Sequence, residues 1–160
     1  MTDITIRAAD GGSFTAYQAT PKSGRGPGVL LIQEIFGVNK VMRDIADGLA
    51  AQGYVVLCPD LFWRQQPGIQ ITDKTEAEWA RAFELYKGFN EAKGVEDLKS
   101  TLAHLRKLPA CTGRFESVLS VPAMRISRRR ASCVRCCAKA MPSKSRKFDQ
   151  APALDRGQEV

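Results

Sequence analysis

The sequence predicts an α/β protein in which helices cover a mostly parallel sheet. Val29 to Ile32 form an unbroken apolar run between Gly28 and Gln33, as in a strand buried on both faces. Residues 40–52 then repeat apolar side chains at helical spacing, and residues 54–57 form a second apolar run. A strand, a helix and a strand at this spacing predict a right-handed βαβ unit with a parallel strand pair.

A hairpin is expected before this unit. Residues 3–8 alternate in polarity, residues 14–20 do so again, and Asp10-Gly11-Gly12 between them is a turn signal. Residues 21–27, which read PKSGRGP, are expected to form a loop that leads into the buried strand.

The buried strand is predicted to span residues 28–34 and to end with a carboxylate, Glu34. Gly37 can then turn the chain, and Asn39 can cap the next helix, which Gly53 ends. Glu34 is therefore expected at the carboxyl end of a central strand, where open α/β sheets bind their ligands.

Two further helices are predicted after a loop over residues 61–74. The first begins at Thr75, which forms a capping box with Glu78, and its apolar face is expected to be core: Trp79, Ala82, Phe83 and Tyr86. The second covers residues 91–108 and is expected to turn four side chains inward: Val95, Leu98, Leu102 and Leu105. Pro109 ends it, residues 111–114 are expected to be a tight connection, and residues 115–121 are a candidate strand.

The regular helix and strand patterns of the sequence end near Arg114. Residues 1–114 hold 14 Lys and Arg against 13 Asp and Glu, whereas residues 115–160 hold 10 against 4. From Pro122 neither a helical nor a strand period holds, and this stretch is predicted to be disordered or poorly packed. We therefore divide the chain into a domain over residues 1–114 and a basic tail over residues 115–160.

The totals favour a soluble cytoplasmic protein without a cofactor. The hydrophobic content is 44% of 160 residues, and no apolar run approaches the roughly 18 residues of a membrane span. No signal-peptide pattern is present, so the five cysteines are expected to be reduced, with Cys58 a small core residue. Cys133, Cys136 and Cys137 have no nearby histidine to complete a zinc site, and no metal is predicted.

Two stretches resemble the dienelactone hydrolase family of the α/β-hydrolases, which act on cyclic enol-lactones. They are QEIFGVN at residues 33–39 and CPDLFWRQQPG at residues 58–68, and the resemblance covers about residues 1–114. It implies the N-terminal part of an α/β-hydrolase fold, with three α/β/α layers. It also implies a small lactone or ester carboxylate as substrate, converted as dienelactone is to maleylacetate by a Cys-Asp-His triad.

The resemblance assigns roles to particular residues. Glu34 would contact the nucleophilic cysteine and tune its ionisation, and the backbone amide of Ile35 would help to form the oxyanion hole. Arg64 would bind the substrate carboxylate, while Phe36 and Trp63 are candidate pocket walls. These residue types suit the roles, because a buried acid near a thiol can exchange a proton and a guanidinium pairs with a carboxylate.

The rest of the family's site is missing from the sequence. No G-x-C-x-G or G-x-S-x-G nucleophile elbow occurs, and the only histidine, His104, precedes the expected nucleophile position. We therefore expect the chain to be truncated before its nucleophile and inactive, and we interpret residues 115–160 as the product of a frameshift. Whether it is an enzyme, and its oligomeric state, stay open.

Two other classes of function remain as alternatives. One is a non-catalytic protein that keeps the pocket and binds a small carboxylate through Arg64. The other is a nucleic-acid-binding protein that uses the basic tail, where Arg128-Arg129-Arg130 could contact phosphates. Nucleic-acid binding is the less favoured of the two, because no aromatic platform accompanies these arginines.

Overall fold

The computed structural model describes the backbone of residues 1–119 and the side chains of residues 1–115. These residues form five strands and three helices: β1 (Thr2–Arg7), β2 (Ser13–Ala19), β3 (Gly26–Ile32), α1 (Lys40–Ala51), β4 (Val55–Pro59), α2 (Glu76–Lys87), α3 (Glu91–Lys107) and β5 (Cys111–Leu119). The predicted disordered tail over residues 122–160 and its cysteine cluster lie outside the described part of the chain.

The strands form one mixed sheet in the order β1-β2-β4-β3-β5. The predicted hairpin is confirmed, since β1 and β2 pair antiparallel from Thr2 opposite Gln18 to Arg7 opposite Ser13. Strand β3 pairs parallel with both β4 and β5, which confirms the predicted parallel pair. The sheet is therefore parallel in its β4-β3-β5 portion.

Strand β3 is buried on both faces, as its apolar run predicts. On one face Val29 and Leu31 pack with Met42 and Ala46 of α1. On the other face Leu105 of α3 joins a second cluster that includes residues of β1, β2 and β4. Helices α1 and α3 thus cover opposite faces of the sheet, and this arrangement leaves the carboxyl ends of the parallel strands for a site.

Asn39 explains where α1 begins. Its side-chain oxygen accepts a hydrogen bond from the Met42 amide at 3.2 Å, and its side-chain nitrogen donates to the Ile71 carbonyl at 2.7 Å. The predicted cap is confirmed, and it also fastens the following loop to the start of the helix. After α1, Gly53 adopts a positive φ of 101°, which confirms the predicted stop.

The predicted inner face of α2 is wrong for its three aromatic residues and correct for Ala82, and the capping box at Thr75 is confirmed. Ala82 and Leu85 are buried, whereas Trp79, Phe83 and Tyr86 are 39%, 47% and 37% exposed. The helix carries two apolar stripes, and the narrower one, with smaller side chains, fits beneath the 61–74 loop. Periodicity alone does not distinguish two adjacent stripes.

The predicted inner face of α3 is also wrong in part. Its buried residues are Gly94, Asp97, Thr101 and Leu105. Val95 is instead 41% exposed, and Leu98 and Leu102 are half-buried. Asp97 turns inward because it has charged and polar partners there, and this rotates the predicted apolar stripe toward the side of the helix.

The connection after α3 is shorter than predicted. Residues 111–114 already belong to β5, and the strand continues past Arg114 to Leu119. Gly113 has a positive φ of 82°, and a register shift lies between Gly26 and Gly28 of the neighbouring strand. The turn-like composition at residues 111–114 therefore marks an irregular strand start, while the predicted boundary between domain and tail stays a prediction.

Candidate active site

The candidate site is built on the loop over residues 33–39, at the carboxyl end of β3. Gly37 closes a tight turn, because its amide donates to the Glu34 carbonyl at 3.2 Å. Gly37 has a φ of 79°, and a Cβ at this position would lie 2.1 Å from the Ile69 carbonyl oxygen. Only glycine fits this turn without strain, and the turn sets the position of Glu34 and Ile35.

A second loop holds this turn from outside. The Ile71 amide donates to the Phe36 carbonyl at 2.9 Å, and Gly37 forms an isolated bridge with Gln70. The side chains of Ile35 and Phe36 pack against a cluster that contains Ile69 and residues of α2. The backbone around Glu34 is therefore fixed by both hydrogen bonds and apolar contacts.

Gln33 and Asp60 join the ends of β3 and β4. The side-chain oxygen of Gln33 accepts from the Leu61 amide at 2.9 Å, while its buried side-chain nitrogen has no hydrogen-bond partner among the described residues. The two oxygens of Asp60 accept from the amides of Phe62 at 3.0 Å and Gly68 at 2.8 Å. Burial nevertheless raises the pKa of Asp60, although the hydrogen bonds from these two amides act in the opposite direction.

Glu34 and Phe36 share a surface cavity of about 280 Å³ with residues of the α1 start and of the loop before α2. The other lining residues are Asn39, Lys40, Val41, Met42, Asp44, Thr72, Asp73 and Lys74. Glu34 itself is half-buried and takes part in an interaction of its own. The amide of Ile35, next in the chain, donates to no other described residue.

Arg64 and Trp63 lie in a different environment. The guanidinium of Arg64 bonds the buried carboxylate of Asp97 and, at 2.8 Å, the half-exposed carboxylate of Asp10. The Trp63 indole N–H also donates to Asp97, at 2.9 Å, and its ring stacks on Phe14 at a centroid distance of 5.8 Å. This network fastens the β1–β2 hairpin and α3 to the loop after β4.

This network lowers the pKa of its exposed carboxylate and raises the pKa of its guanidinium. Hydrogen bonds from Arg64 and Lys93 lower the pKa of Asp10 to about 2. The hydrogen bond to Asp97 raises the pKa of Arg64 above its usual range. Arg64 therefore remains a cation near neutral pH.

The structure brings some of the predicted site residues together and separates others. Glu34, Ile35 and Phe36 are consecutive, and two of them line one cavity. The lining of that cavity does not include Trp63 or Arg64. Arg64 instead borders a cleft of about 50 Å³ beside the start of α3.

Sequence reasoning missed the aromatic face of α2 as a neighbour of the site. The ring of Phe36 meets Trp79 edge-on at a centroid distance of 4.9 Å, and Trp79 lies 5.8 Å from Phe83. This series of half-exposed rings extends from the site loop along α2. The signal in the sequence was the presence of two apolar stripes on a helix of 12 residues, one of which had to face away from the core.

Cys58 is confirmed as a core residue. Its side chain is 0% exposed, and burial raises its pKa to about 12. A thiol with this pKa stays protonated near neutral pH and does not act as a nucleophile. His104 lies in the last turn of α3 and is half-buried.

The register of β3 and β5 fixes the geometry at the end of the sheet. The two strands run parallel, and Ile32 lies opposite Leu119. Because parallel strands end at the same edge, the carboxyl end of β5 at Leu119 lies at the edge of the sheet where Gln33 and Glu34 follow β3.

Comparison with known proteins agrees with this arrangement. The sequence model of the dienelactone hydrolase family matches residues 14–118, which is most of the described chain. The chain belongs to the dienelactone hydrolase family. The match ends one residue before the end of β5.

Two relatives and one solved structure illustrate the similarity. A provisionally named carboxymethylenebutenolidase of Azospirillum brasilense is 62% identical over 94 residues, which are 58% of this chain and 41% of that protein. The carboxymethylenebutenolidase of Pseudomonas sp. strain P51 is 43% identical over 110 residues, which are 69% of this chain and 46% of that protein. A provisionally named dienelactone hydrolase of Klebsiella pneumoniae superposes with a TM-score of 0.61 at 27% identity, over 74% of this chain and 48% of that one.

The predicted α/β-hydrolase fold is confirmed by this structural neighbour, within the part of the chain that matches. The chain spans less than half the length of each of the three proteins. Within residues 1–119, no helix is long and apolar enough to cross a membrane.

Proposed function

We propose that this chain carries the Glu34 half of an ester- or lactone-hydrolysing site, whose nucleophile belongs to a segment following β5. The observation that supports the proposal is the parallel register of β3 and β5, with Ile32 opposite Leu119. In this register the carboxyl end of β5 lies at the same edge of the sheet as Glu34 and the Ile35 amide, and such a segment would begin there.

Glu34 acts in this proposal on the ionisation of a cysteine thiol. A carboxylate beside a thiol opposes formation of the thiolate, because two like charges repel each other in a partly buried site. When a substrate approaches, the same carboxylate can accept the thiol proton and release the thiolate for attack. The fixed turn at Gly37 keeps the carboxylate in place for both tasks.

The Ile35 amide stabilises the oxyanion that this attack produces. Its N–H group donates to no other described residue, although the loop around it is held by several hydrogen bonds. A donor that is already positioned stabilises developing charge without reorganisation, and one such donor contributes about 3–4 kcal/mol to the transition state.

The substrate is a small lactone or ester with a carboxylate, as the names of the curated relatives suggest. Phe36 and the neighbouring Trp79 provide an apolar wall for its ring. The predicted role of Arg64 in binding the carboxylate is part of this proposal and requires exchange of partners. Asp10, which is 36% exposed, is the partner that a substrate carboxylate would displace, because Asp97 is buried.

The chain by itself is not expected to hydrolyse these substrates. The sequence contains neither a G-x-C-x-G elbow nor a histidine after the nucleophile position. The frameshift hypothesis explains the basic composition of residues 115–160. It predicts that another reading frame of the gene after codon 114 encodes a G-x-C-x-G elbow, and a gene without one would contradict it.

A chimera tests the proposed function. Residues 1–119 are joined to the part of the Azospirillum brasilense relative that follows its counterpart of Leu119, and hydrolysis of dienelactone and of p-nitrophenyl acetate is measured. The chimera is expected to be active, whereas the unmodified chain is expected to show only background hydrolysis. Ile35→Pro, which removes the amide hydrogen, is expected to lower kcat by about 100-fold or more.

Cys58→Ala provides the control, because Cys58 is buried and protonated. It is expected to leave kcat within about twofold. A folded chimera without activity would contradict the proposal, as would full activity in both Glu34→Ala and Ile35→Pro.

A further inference from the structure

Three partly exposed rings, Phe36, Trp79 and Phe83, form a continuous aromatic row on the surface. The Phe36 ring meets Trp79 edge-on at a centroid distance of 4.9 Å, and the Phe83 ring lies 5.8 Å beyond Trp79. Trp79 and Phe83 both belong to α2 and are turned away from its buried side. Exposed apolar side chains that touch one another, unlike single scattered ones, are typical of interaction sites.

The inner end of the aromatic row is a wall of the cavity that Glu34 lines. Phe36 lines this cavity directly, and so does Asp73 of the loop before α2. Trp79 lies against the same wall, because its indole N–H donates to the Asp73 carbonyl at 3.0 Å. The cavity has a volume of about 280 Å³, just below the range of about 300–1,000 Å³ that is typical of ligand pockets. A ligand larger than the cavity therefore has to extend beyond it, and on this side it meets the Trp79 ring.

The Trp79 ring is fixed before any ligand arrives. The bond to Asp73 and the edge contact with Phe36 hold it from two sides. The loop that receives this bond is itself attached to α2, because Glu78 accepts from the Thr72 amide at 3.1 Å and from the Thr72 hydroxyl at 2.6 Å. A ring that is already ordered loses little conformational entropy when a second ring packs on it.

We propose that the aromatic row is a subsite for an aromatic substituent of the substrate, whose ester or lactone group lies in the Glu34 cavity. Aromatic rings pair edge-to-face or offset at centroid distances of about 4.5–7 Å, and the two ring contacts within the row have this geometry. A further ring can continue the same packing over Trp79 or Phe83. An aliphatic group of the same size would gain the apolar contact but not the ring pairing.

The subsite rests on the proposed function for the reaction next to it, but its test measures binding to the full chain and needs no turnover. The probes are phenylacetate, cyclohexylacetate and acetate, and the indole N–H signals of the two tryptophans are followed by heteronuclear NMR. Loss of one signal in Trp79→Ala assigns it. Trp63 is the internal control, because its indole donates to Asp97 and its ring stacks on Phe14, which is not part of the aromatic row.

Phenylacetate is expected to shift the Trp79 signal until it saturates and to leave the Trp63 signal in place. Cyclohexylacetate is at least as apolar but has no aromatic ring, so it is expected to bind about threefold or more weakly. Acetate is expected to cause no saturable shift of the Trp79 signal.

Matched variants test the outer end of the aromatic row. Phe83→Ala keeps the Trp79 signal as reporter and is expected to weaken the binding of phenylacetate about threefold or more. Val95→Ala is the control, because Val95 is also an exposed apolar residue of a helix but belongs to α3. It is expected to leave the affinity unchanged, and an unchanged Trp63 signal in both variants shows that they are folded.

Three results would overturn the proposal. They are the lack of a saturable Trp79 shift, equal affinity for phenylacetate and cyclohexylacetate, and equal effects of Phe83→Ala and Val95→Ala. A Trp79 signal that moves with protein concentration without ligand would also overturn it, because a second copy of the chain would then cover the aromatic row. Binding of phenylacetate, together with a folded chimera that hydrolyses no ester, would leave the subsite intact and count against the proposed function.

Discussion

Replacing Arg64 by alanine should destabilise the fold strongly, because it leaves a buried carboxylate with too few partners. The Asp97 side chain is 1% exposed, and its Oδ2 atom accepts from Arg64 and from the Trp63 indole. Removing one member of a buried ion pair costs about 3–5 kcal/mol. Since the Trp63 donor remains and Arg64 is 26% exposed, we expect a loss near the lower end, about 3 kcal/mol.

Urea denaturation followed by tryptophan fluorescence measures this loss in the full chain. With an m-value of about 2 kcal/mol/M, a loss of about 3 kcal/mol lowers the midpoint by about 1.5 M. Asp10→Ala is the control. It removes the exposed bonds of Asp10 to Arg64 and Lys93, and such surface pairs contribute little to stability.

A loss in Arg64→Ala that is within about 1 kcal/mol of the loss in Asp10→Ala would refute this reasoning. Arg64 would then be available to bind a substrate carboxylate without first giving up a structural role. The comparison therefore also bears on the role that the family resemblance assigns to Arg64.

Three further predictions concern the scaffold of the site. Gly37→Ala should lower the free energy of unfolding, measured by urea denaturation, by about 3 kcal/mol or more. Gly68→Ala, which is also at positive φ but faces open space, should lower it by about 1 kcal/mol, and equal losses would contradict the close approach at Gly37. Asn39→Ala should lower the free energy of unfolding by about 2 kcal/mol, because the helix cap and the hydrogen bond to the Ile71 carbonyl are both lost. Asn90→Ala, which removes only a helix cap, should lower it by about 1 kcal/mol. Maleimide at pH 8 should modify Cys58 only after unfolding, as peptide mass spectrometry can show, and rapid native-state labelling would disprove its burial.

The helices and strands could be predicted where the pattern of residues is compatible with only one local structure. The β3 run of four apolar residues fits only a strand covered on both faces, and Asn39 and Thr75 are side chains that complete a helix start. The faces of α2 and α3 were predicted only in part. Ala82 and Leu105 are buried as expected, but α2 carries a second apolar stripe and the buried face of α3 contains Asp97. Which face of a helix is buried depends on tertiary partners, and in α3 it depends above all on the pairing of Asp97 with Arg64.

The site could be predicted in part from its motif. Glu34 was expected near the carboxyl end of β3, because a strand, a glycine and a cap follow one another within 12 residues. The predicted strand over residues 28–34 is two residues out of place, since β3 covers Gly26–Ile32 and Glu34 lies in the loop just after it. The network around Arg64 could not be predicted, since Asp10 and Asp97 lie 54 and 33 residues away in sequence. Long-range ion pairs of this kind leave no local pattern.

The ionisation of the nucleophilic cysteine in the chimera tests the central claim most directly. Its alkylation by iodoacetamide is measured from pH 5 to pH 10, with Glu34 and with Glu34→Gln. If Glu34 contacts the thiol, removal of its charge should lower the apparent pKa of that cysteine by about one unit or more, since a neighbouring anion disfavours the thiolate. An identical profile in the two proteins would contradict the claim that this chain carries the thiol-tuning half of a hydrolase site.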